Sequence, residues 1–243
     1  MHIEDKVTSN SVNEEYALLK QFYKKLGAQI IEILPKKGLP DMVYTANLGF
    51  AKQNIFIVAN FKYPERQKES IYSKEFFRKL GFKIKKLPPE IPWEGEGDFL
   101  KVGDKYFMGH GKRSSLEAKD YLSEILQGEV IPLKLIDPYF YHLDMCFFPL
   151  SSEVVAINPF SFEPDGLETI KNHFKTVIET SPKDNQTMAC NAEIIGDTIV
   201  VAKALSKELK DKYTSLGYKT KEIPMDQYIK GGGSIKCLSL EFH

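Results

Sequence analysis

Two hydrophobic rhythms alternate along the chain and recur in a fixed order. Amphipathic stretches with helical spacing cover "VNEEYALLKQFYKKL" up to Gly27, about Glu69 to Leu80, Ser114 to Gly128, about Asp165 to Phe174, and about Ser206 to Leu216. Ser11-x-x-Glu14 and Ser114-x-x-Glu117 read as capping boxes that start the first and third of these helices. Gly27, Gly81, Gly128 and Gly217 read as stops, because glycine accepts the left-handed conformation just past a helix end. The stretch after each helix is nearly one phrase: "KKLGAQIIEILP", "RKLGFKIKKLPP", "ILQGEVIPLKL", "HFKTVIETSP" and "TSLGYKTKEIP". The "HFKTVIETSP" copy lacks the glycine but keeps the strand and the proline. The stops fall near residues 27, 81, 128, 175 and 217, at intervals of 54, 47, 47 and 42. A repeat with that period predicts copies of one supersecondary unit.

After each short strand the pattern gives a second strand, a turn and a third strand, with turn signals at "AKQN" (51–54), "VGDK" (102–105), "SSE" (151–153) and "IGDT" (195–198). The unit is strand, hairpin, helix. Five of them predict an α/β fold closed radially with pseudo-fivefold symmetry, with a doubly wound Rossmann sheet as the alternative. No GxGxxG or GxxxxGK[ST] points to a nucleotide. The fifth unit has "YKTKEIP" and "IKCLSLEF", and its third strand would have to precede the first helix. Only "MHIEDKV" stands there, so either it supplies a poor substitute or the closing strand is missing. On this reading residues 1–243 form a single domain.

Charge narrows the function. Lys and Arg number 33, as do Asp and Glu, and the zero balance argues against a nucleic-acid partner. Cys146, Cys190 and Cys237 are too few for a disulfide scaffold, and no CxxC suggests a metal site. The polar start is no signal peptide and no apolar run is long enough to span a membrane, so the sequence reads as soluble and cytoplasmic.

The chemically suggestive residues fall at one place in the repeat, in "PDMVYTAN" (40–47), "WEGEGDFL" (93–100), "YHLDMCF" (141–147), "ACNAEII" (189–195) and "GGGSIKCLSL" (231–240). In a radial fold these second strands bring Asn47, a carboxylate of the second unit, His142 with Asp144, and Cys237 to one end of the central axis. Read as a strand, the last stretch puts Leu238, Leu240 and Phe242 on one face and Cys237, Ser239 and Glu241 on the other. That leaves a packing cysteine and a reactive one both open. Glu94, Glu96 and Asp98 would share a face if extended, where like charges repel or call for a cation. Cys146 reads as core, Cys190 as ambiguous and His110 as loop. A thiol and an imidazole in one cleft form a nucleophile pair, and carboxylates beside them suit a planar guanidinium.

Taken together, "LPDMVYTANLGF", "WEGEGDFL", "GHGKRSS", "YHLDMCFFPL", "ACNAEIIGD" and "GGGSIKCLSLEF" resemble the guanidino-group-modifying superfamily of arginine deiminases, dimethylarginine dimethylaminohydrolases and amidinotransferases. The branch most similar is that of the arginine dihydrolases, which reads TAN, EGxGD, HLD and GG[ST]xRC. The resemblance implies a five-bladed α/β propeller, the pentein fold. It implies a cysteine-dependent hydrolase of the guanidino group of arginine or dimethylarginine, working through a covalent thiouronium, with no metal or other cofactor. An amidinotransferase and a non-catalytic propeller are the alternatives. By the same resemblance Cys237 is the nucleophile, His142 the general acid/base, and Glu94 the catalytic acidic residue that pairs with His142 or with the substrate. Asp144 and Asn47 hold the guanidinium, and Arg113 holds the α-carboxylate. The acidic motif aligns loosely by one residue, so Glu96 or Asp98 shares part of the role of Glu94, and Asp98 joins the substrate-binding set. Relatives of this branch begin with a strand of the form FxVxYxINPWM, and Lys236 stands where they have Arg. A small guanidino compound is the expected partner, with no nucleic acid or membrane, and homo-oligomerisation is left open.

Overall fold

Four hairpins, each joined by a helix to a returning strand, carry the architecture. The structure is a computed structural model and describes residues 9–242. In the first unit β1 (Gly49–Lys52) pairs antiparallel with β2 (Ile55–Val58), and β3 (Lys83–Lys86) returns parallel to β2 after the helix Glu69–Lys79. The second unit repeats this with β4 (Phe99–Val102), β5 (Lys105–His110), the helix Ala118–Leu126 and β6 (Val130–Lys134). The third has β7 (Phe147–Pro149), β8 (Val154–Ile157), the helix Pro164–His173 and β9 (Thr176–Glu179). The fourth has β10 (Glu193–Ile195), β11 (Thr198–Val201), the helix Lys207–Ser215 and β12 (Lys219–Glu222). Four of the five expected units are therefore built as the repeat predicts, each as its own three-stranded sheet.

Apolar clusters fill the seams between neighbouring units and close the ring. Phe50 and Ile57 of the first unit pack with Phe99, Tyr106 and Leu122 of the second. Leu100 and Phe107 of the second meet Phe147 and Val155 of the third, and Phe148 of the third meets Ile199 and Tyr213 of the fourth. The helix Ser9–Lys25 lays Leu19 and Tyr23 against Val200, Met225 and Ile235. Leu240 and Phe242 pack on Phe77 and Val58, returning to the first unit. Two of the four returning strands, β3 "KIKK" and β12 "KTKE", are short and charged, which keeps those exposed edges from pairing further.

Five local expectations are corrected. The strand read into 28–34 does not form, nor does the one read over 235–242; among the described residues neither stretch meets a strand partner, and a lone strand satisfies no ladder. The reading of "MHIEDKV" as a substitute lies outside the described residues. Ser11 lies inside the helix, which is already under way at Ser9. Ser114 caps no helix, because its hydroxyl is held by Asp98 and by the Glu94 N–H; the helix begins later, at Ala118, and its left-handed stop is Gln127 rather than Gly128.

Candidate active site

The residues set apart by the repeat converge, but on tight turns rather than on strands, and three of these turns lead into β1, β4 and β7. Asn47 is in the 3-10 turn Thr45–Leu48, the acidic motif in Gly95–Gly97, Asp144 in Leu143–Met145 and Cys237 in Lys236–Leu238. Three residues per turn rotate successive side chains away from strand alternation. The three acids consequently take different partners instead of sharing a face. Glu94 Oε2 lies 2.8 Å from His142 Nε2 and 3.3 Å from Arg113 Nη1. Glu96 Oε2 accepts from Lys236 Nζ at 2.9 Å. Asp98 accepts from the Ser114 hydroxyl at 2.7 Å and from the Leu143 N–H at 3.1 Å. Glycine is required inside this motif, since a Cβ on Gly97 would come within 2.1 Å of Asn47 Nδ2.

A carboxylate can only accept, so the His142 ring carries its proton on Nε2 when it meets Glu94. Burial would raise the Glu94 carboxyl, but the His142 hydrogen bond and the charges of His142, Arg113 and Arg66 bring it down to about 2. Asp98 and Asp144 go the other way. Burial pushes Asp98 up to about 6 and Asp144 up to about 7, against the Ser114, Leu143 and Cys237 hydrogen bonds.

Cys237 is 3% exposed. Its thiol faces Asp144 Oδ2 at 3.2 Å and receives Asn191 Nδ2 at 3.1 Å. Burial and the adjacent Asp144 push the thiol well above its ordinary value, so it rests as a neutral donor to the carboxylate. This corrects the expected imidazolium–thiolate pair: His142 pairs with Glu94, and the sulfur pairs with Asp144 and Asn191.

His142, Asn47, Arg113 and Cys237 line one cleft of about 130 Å³, together with Arg66, Tyr44 and Tyr141. Arg113 is 21% exposed at its side chain and lies over the rings of Tyr63 and Tyr141, 4.8 and 4.5 Å from their centroids. Arg66 is tied to Glu69 and donates to Asn47 Oδ1 at 2.9 Å, while Asn47 Nδ2 is buried without a partner. The triple glycine shapes the far wall: Gly232 has φ +98, and a Cβ there would meet Tyr141 Oη at 2.7 Å. A larger cavity of about 520 Å³ runs along β1, β4, β7 and β10 and reaches Asp144, Glu96 and Lys236, but the thiol and His142 open into the smaller cleft. Among the described residues no three His, Cys, Asp or Glu side chains group as metal ligands.

Six of the seven expected site residues, Cys237, His142, Glu94, Asp144, Asn47 and Arg113, thus surround one chemical centre. Asp98 stands apart, fully buried with both carboxylate oxygens taken by protein donors, and anchors the turn that carries His142. Asp98→Ala is expected to lower unfolding free energy by about 3 kcal/mol, because two buried donors lose their acceptor. Asp98→Asn keeps one acceptor and should leave KM near wild type; a KM rise without a stability loss would return Asp98 to substrate binding. Because its carboxyl is held above its unfolded value, the wild-type contribution of Asp98 to stability falls as pH rises from the ordinary carboxylate range through about 6. In Asp98→Asn that fall should vanish from urea titrations at pH 4 to 7.

The sequence reading missed Arg66, Tyr44, Tyr141 and Asn191. The repeat held a signal for two of them. Arg66 comes after the first hairpin as Arg113 comes after the second, and Asn191 precedes β10 as Asn47 precedes β1.

Comparison with known proteins places this geometry. The family described as N,N dimethylarginine dimethylhydrolase, eukaryotic, matches residues 1–243. The bifunctional arginine dihydrolase/ornithine cyclodeaminase ArgZ of Synechocystis is 36% identical over 93% of this chain and 32% of its own length. The N(G),N(G)-dimethylarginine dimethylaminohydrolase of Mycobacterium tuberculosis is 33% identical over 93% of this chain and 74% of its own. The chain thus spans about a third of the bifunctional relatives. Among solved structures, the substrate-bound N-terminal domain of ArgZ, from cyanobacteria, superposes with a TM-score of 0.93 at 35% identity, covering 96% of this chain and 87% of that one. The same domain has been solved covalently bound to a reaction intermediate, at the same TM-score and identity and the same two coverages.

Proposed function

Because this chain belongs to the N,N dimethylarginine dimethylhydrolase family, we propose that it is a thiol-dependent hydrolase of the guanidino group of L-arginine or a close analogue. The observation that carries this reading is the grouping of the Cys237 sulfur, the Asp144 carboxylate and the His142–Glu94 pair, with two arginines in the same cleft.

Above about pH 7 the resting site holds one proton, on the thiol, which donates to the Asp144 carboxylate. A guanidinium entering the cleft supplies the positive charge that a buried thiolate and carboxylate need. Asp144 pairs with the guanidinium through planar hydrogen bonds, and the thiol proton is released to bulk water. The thiolate attacks the central guanidinium carbon, and one C–N bond breaks as His142 delivers a proton to the departing nitrogen. Ammonia leaves and the substrate remains as an S-alkylthiouronium. His142, now able to take a proton, activates water, which attacks the same carbon and returns the sulfur to a thiol. Citrulline is released, or a second round gives ornithine, carbon dioxide and another ammonia. Glu94 keeps the Nε2 proton of His142 in place and balances its charge. Arg113, clamped between two tyrosine rings, is suited to hold the α-carboxylate, with Arg66 behind it. Three unpaired cysteines are compatible with a reducing compartment such as the cytoplasm.

The test is product analysis with L-arginine, dimethylarginine and agmatine, which lacks the carboxylate. Ammonia from L-arginine or dimethylamine from N(G),N(G)-dimethylarginine, with agmatine poorer in kcat/KM by about 10- to 100-fold, is the expected result. Equal turnover of agmatine would remove the arginines from substrate recognition.

A further inference from the structure

Resting on that thiolate reading, we propose that Asn191 is a positioning residue: it fixes the Cys237 sulfur and supplies the neutral side-chain donor that the sulfur keeps when it becomes an anion. Asn191 is fully buried, and its amide is engaged at both ends. Nδ2 donates to the Asp144 carbonyl at 3.1 Å and to the Cys237 sulfur at 3.1 Å, while Oδ1 faces the Cys237 N–H at 3.4 Å. The reversed amide would set an oxygen against a carbonyl oxygen and the sulfur, so only one orientation satisfies all three contacts.

The chemistry explains why this donor matters. Asp144 can accept from a thiol but repels a thiolate, and it is also the group that turns to a guanidinium. The His142 ring is held by Glu94. Among the described residues, Asn191 is the side chain that donates to the sulfur, beside the backbone of Ser234. Losing a hydrogen bond to a charged group raises the thiolate's free energy and misplaces the attacking atom.

The test compares wild type, Asn191→Ala and Asn191→Asp. The rate of Cys237 alkylation by iodoacetamide, read on its peptide by mass spectrometry, is measured against pH with and without guanidinium chloride, beside kcat/KM for L-arginine. Asp144, His142, Tyr44 and Tyr141 face this pair, Lys236 acts on Asp144 and Glu193 on Lys236, and all six are unchanged in the three proteins. Asn191→Ala should shift alkylation to higher pH and lower kcat/KM by about 10- to 100-fold. Asn191→Asp can donate only while its carboxyl is protonated. Its activity relative to wild type should therefore fall as pH rises through that ionisation.

Wild-type alkylation curves in both variants, or an Asp profile parallel to that of wild type, would overturn the proposal. If Asn191→Ala fails to fold, the isosteric Asp variant decides. Alkylation needs no substrate. A wild-type thiol that titrates as expected, while arginine yields no ammonia, would fault the reaction and not Asn191.

Discussion

Cys237→Ala is expected to abolish ammonia release from arginine, a loss on the order of 10⁴-fold or more in kcat, with thermal unfolding close to wild type. The thiol is one small buried group, and its removal leaves the surrounding turn in place: Leu238 still packs among the apolar residues of that seam. The Asp144 carboxylate and both arginines remain, so the variant should still bind arginine, visible by calorimetry as heat without turnover. Cys237→Ser is expected to be nearly as inactive. A hydroxyl is far less acidic than a thiol, and the side chains in contact at this position, Asp144 and Asn191, include no imidazole to activate it. Retained ammonia release in either variant would assign the chemistry elsewhere.

His142→Asn should lower kcat by about 10³-fold, the range for removing a positioned general acid/base. Its second expected signature separates this role from thiol activation. Because His142 pairs with Glu94 and not with the sulfur, the pH dependence of Cys237 alkylation in the free enzyme should stay near that of wild type. Glu94→Gln should show the same pattern with a smaller loss, since it removes the charge that steadies the imidazole but not the ring. Its own carboxyl sits near 2, below the unfolded value, so the stability it confers is present above the ordinary carboxylate range and fades as pH falls toward 2. A large alkaline shift of the alkylation curve in His142→Asn would restore the imidazolium–thiolate pair.

Much of this was legible in residue order alone. The phrase after each helix and the turn signals located four hairpins and four returning strands. The repeat also gave the convergence of Asn47, the acidic motif, His142, Asp144 and Cys237. Local geometry was less legible. Strand alternation put Cys237 with the exposed polar set, whereas a 3-10 turn buries it beside Asp144. Alternation likewise put three acids on one face, whereas the turn sends Glu94 to His142, Glu96 to Lys236 and Asp98 to Ser114. Period-2 reasoning assumes extended backbone, and the glycines of both motifs permit something tighter. Ser114 shows the same limit: a capping box is a local pattern, but a partner 16 residues earlier in sequence takes its hydroxyl. Arg66 had only its place after the first hairpin to mark it, because its partners come from separate elements: Glu69 opens a helix and Asn47 sits in a 3-10 turn.

The most direct test of the central claim is covalent trapping. Wild type and His142→Asn would be mixed with L-arginine, quenched in acid within the turnover time, digested and read by mass spectrometry. The expected result is an adduct with the mass of arginine less ammonia on the Cys237 peptide, absent from Cys237→Ala. Ammonia production with an unmodified Cys237 at every quench time, in both proteins, would contradict thiol-dependent catalysis.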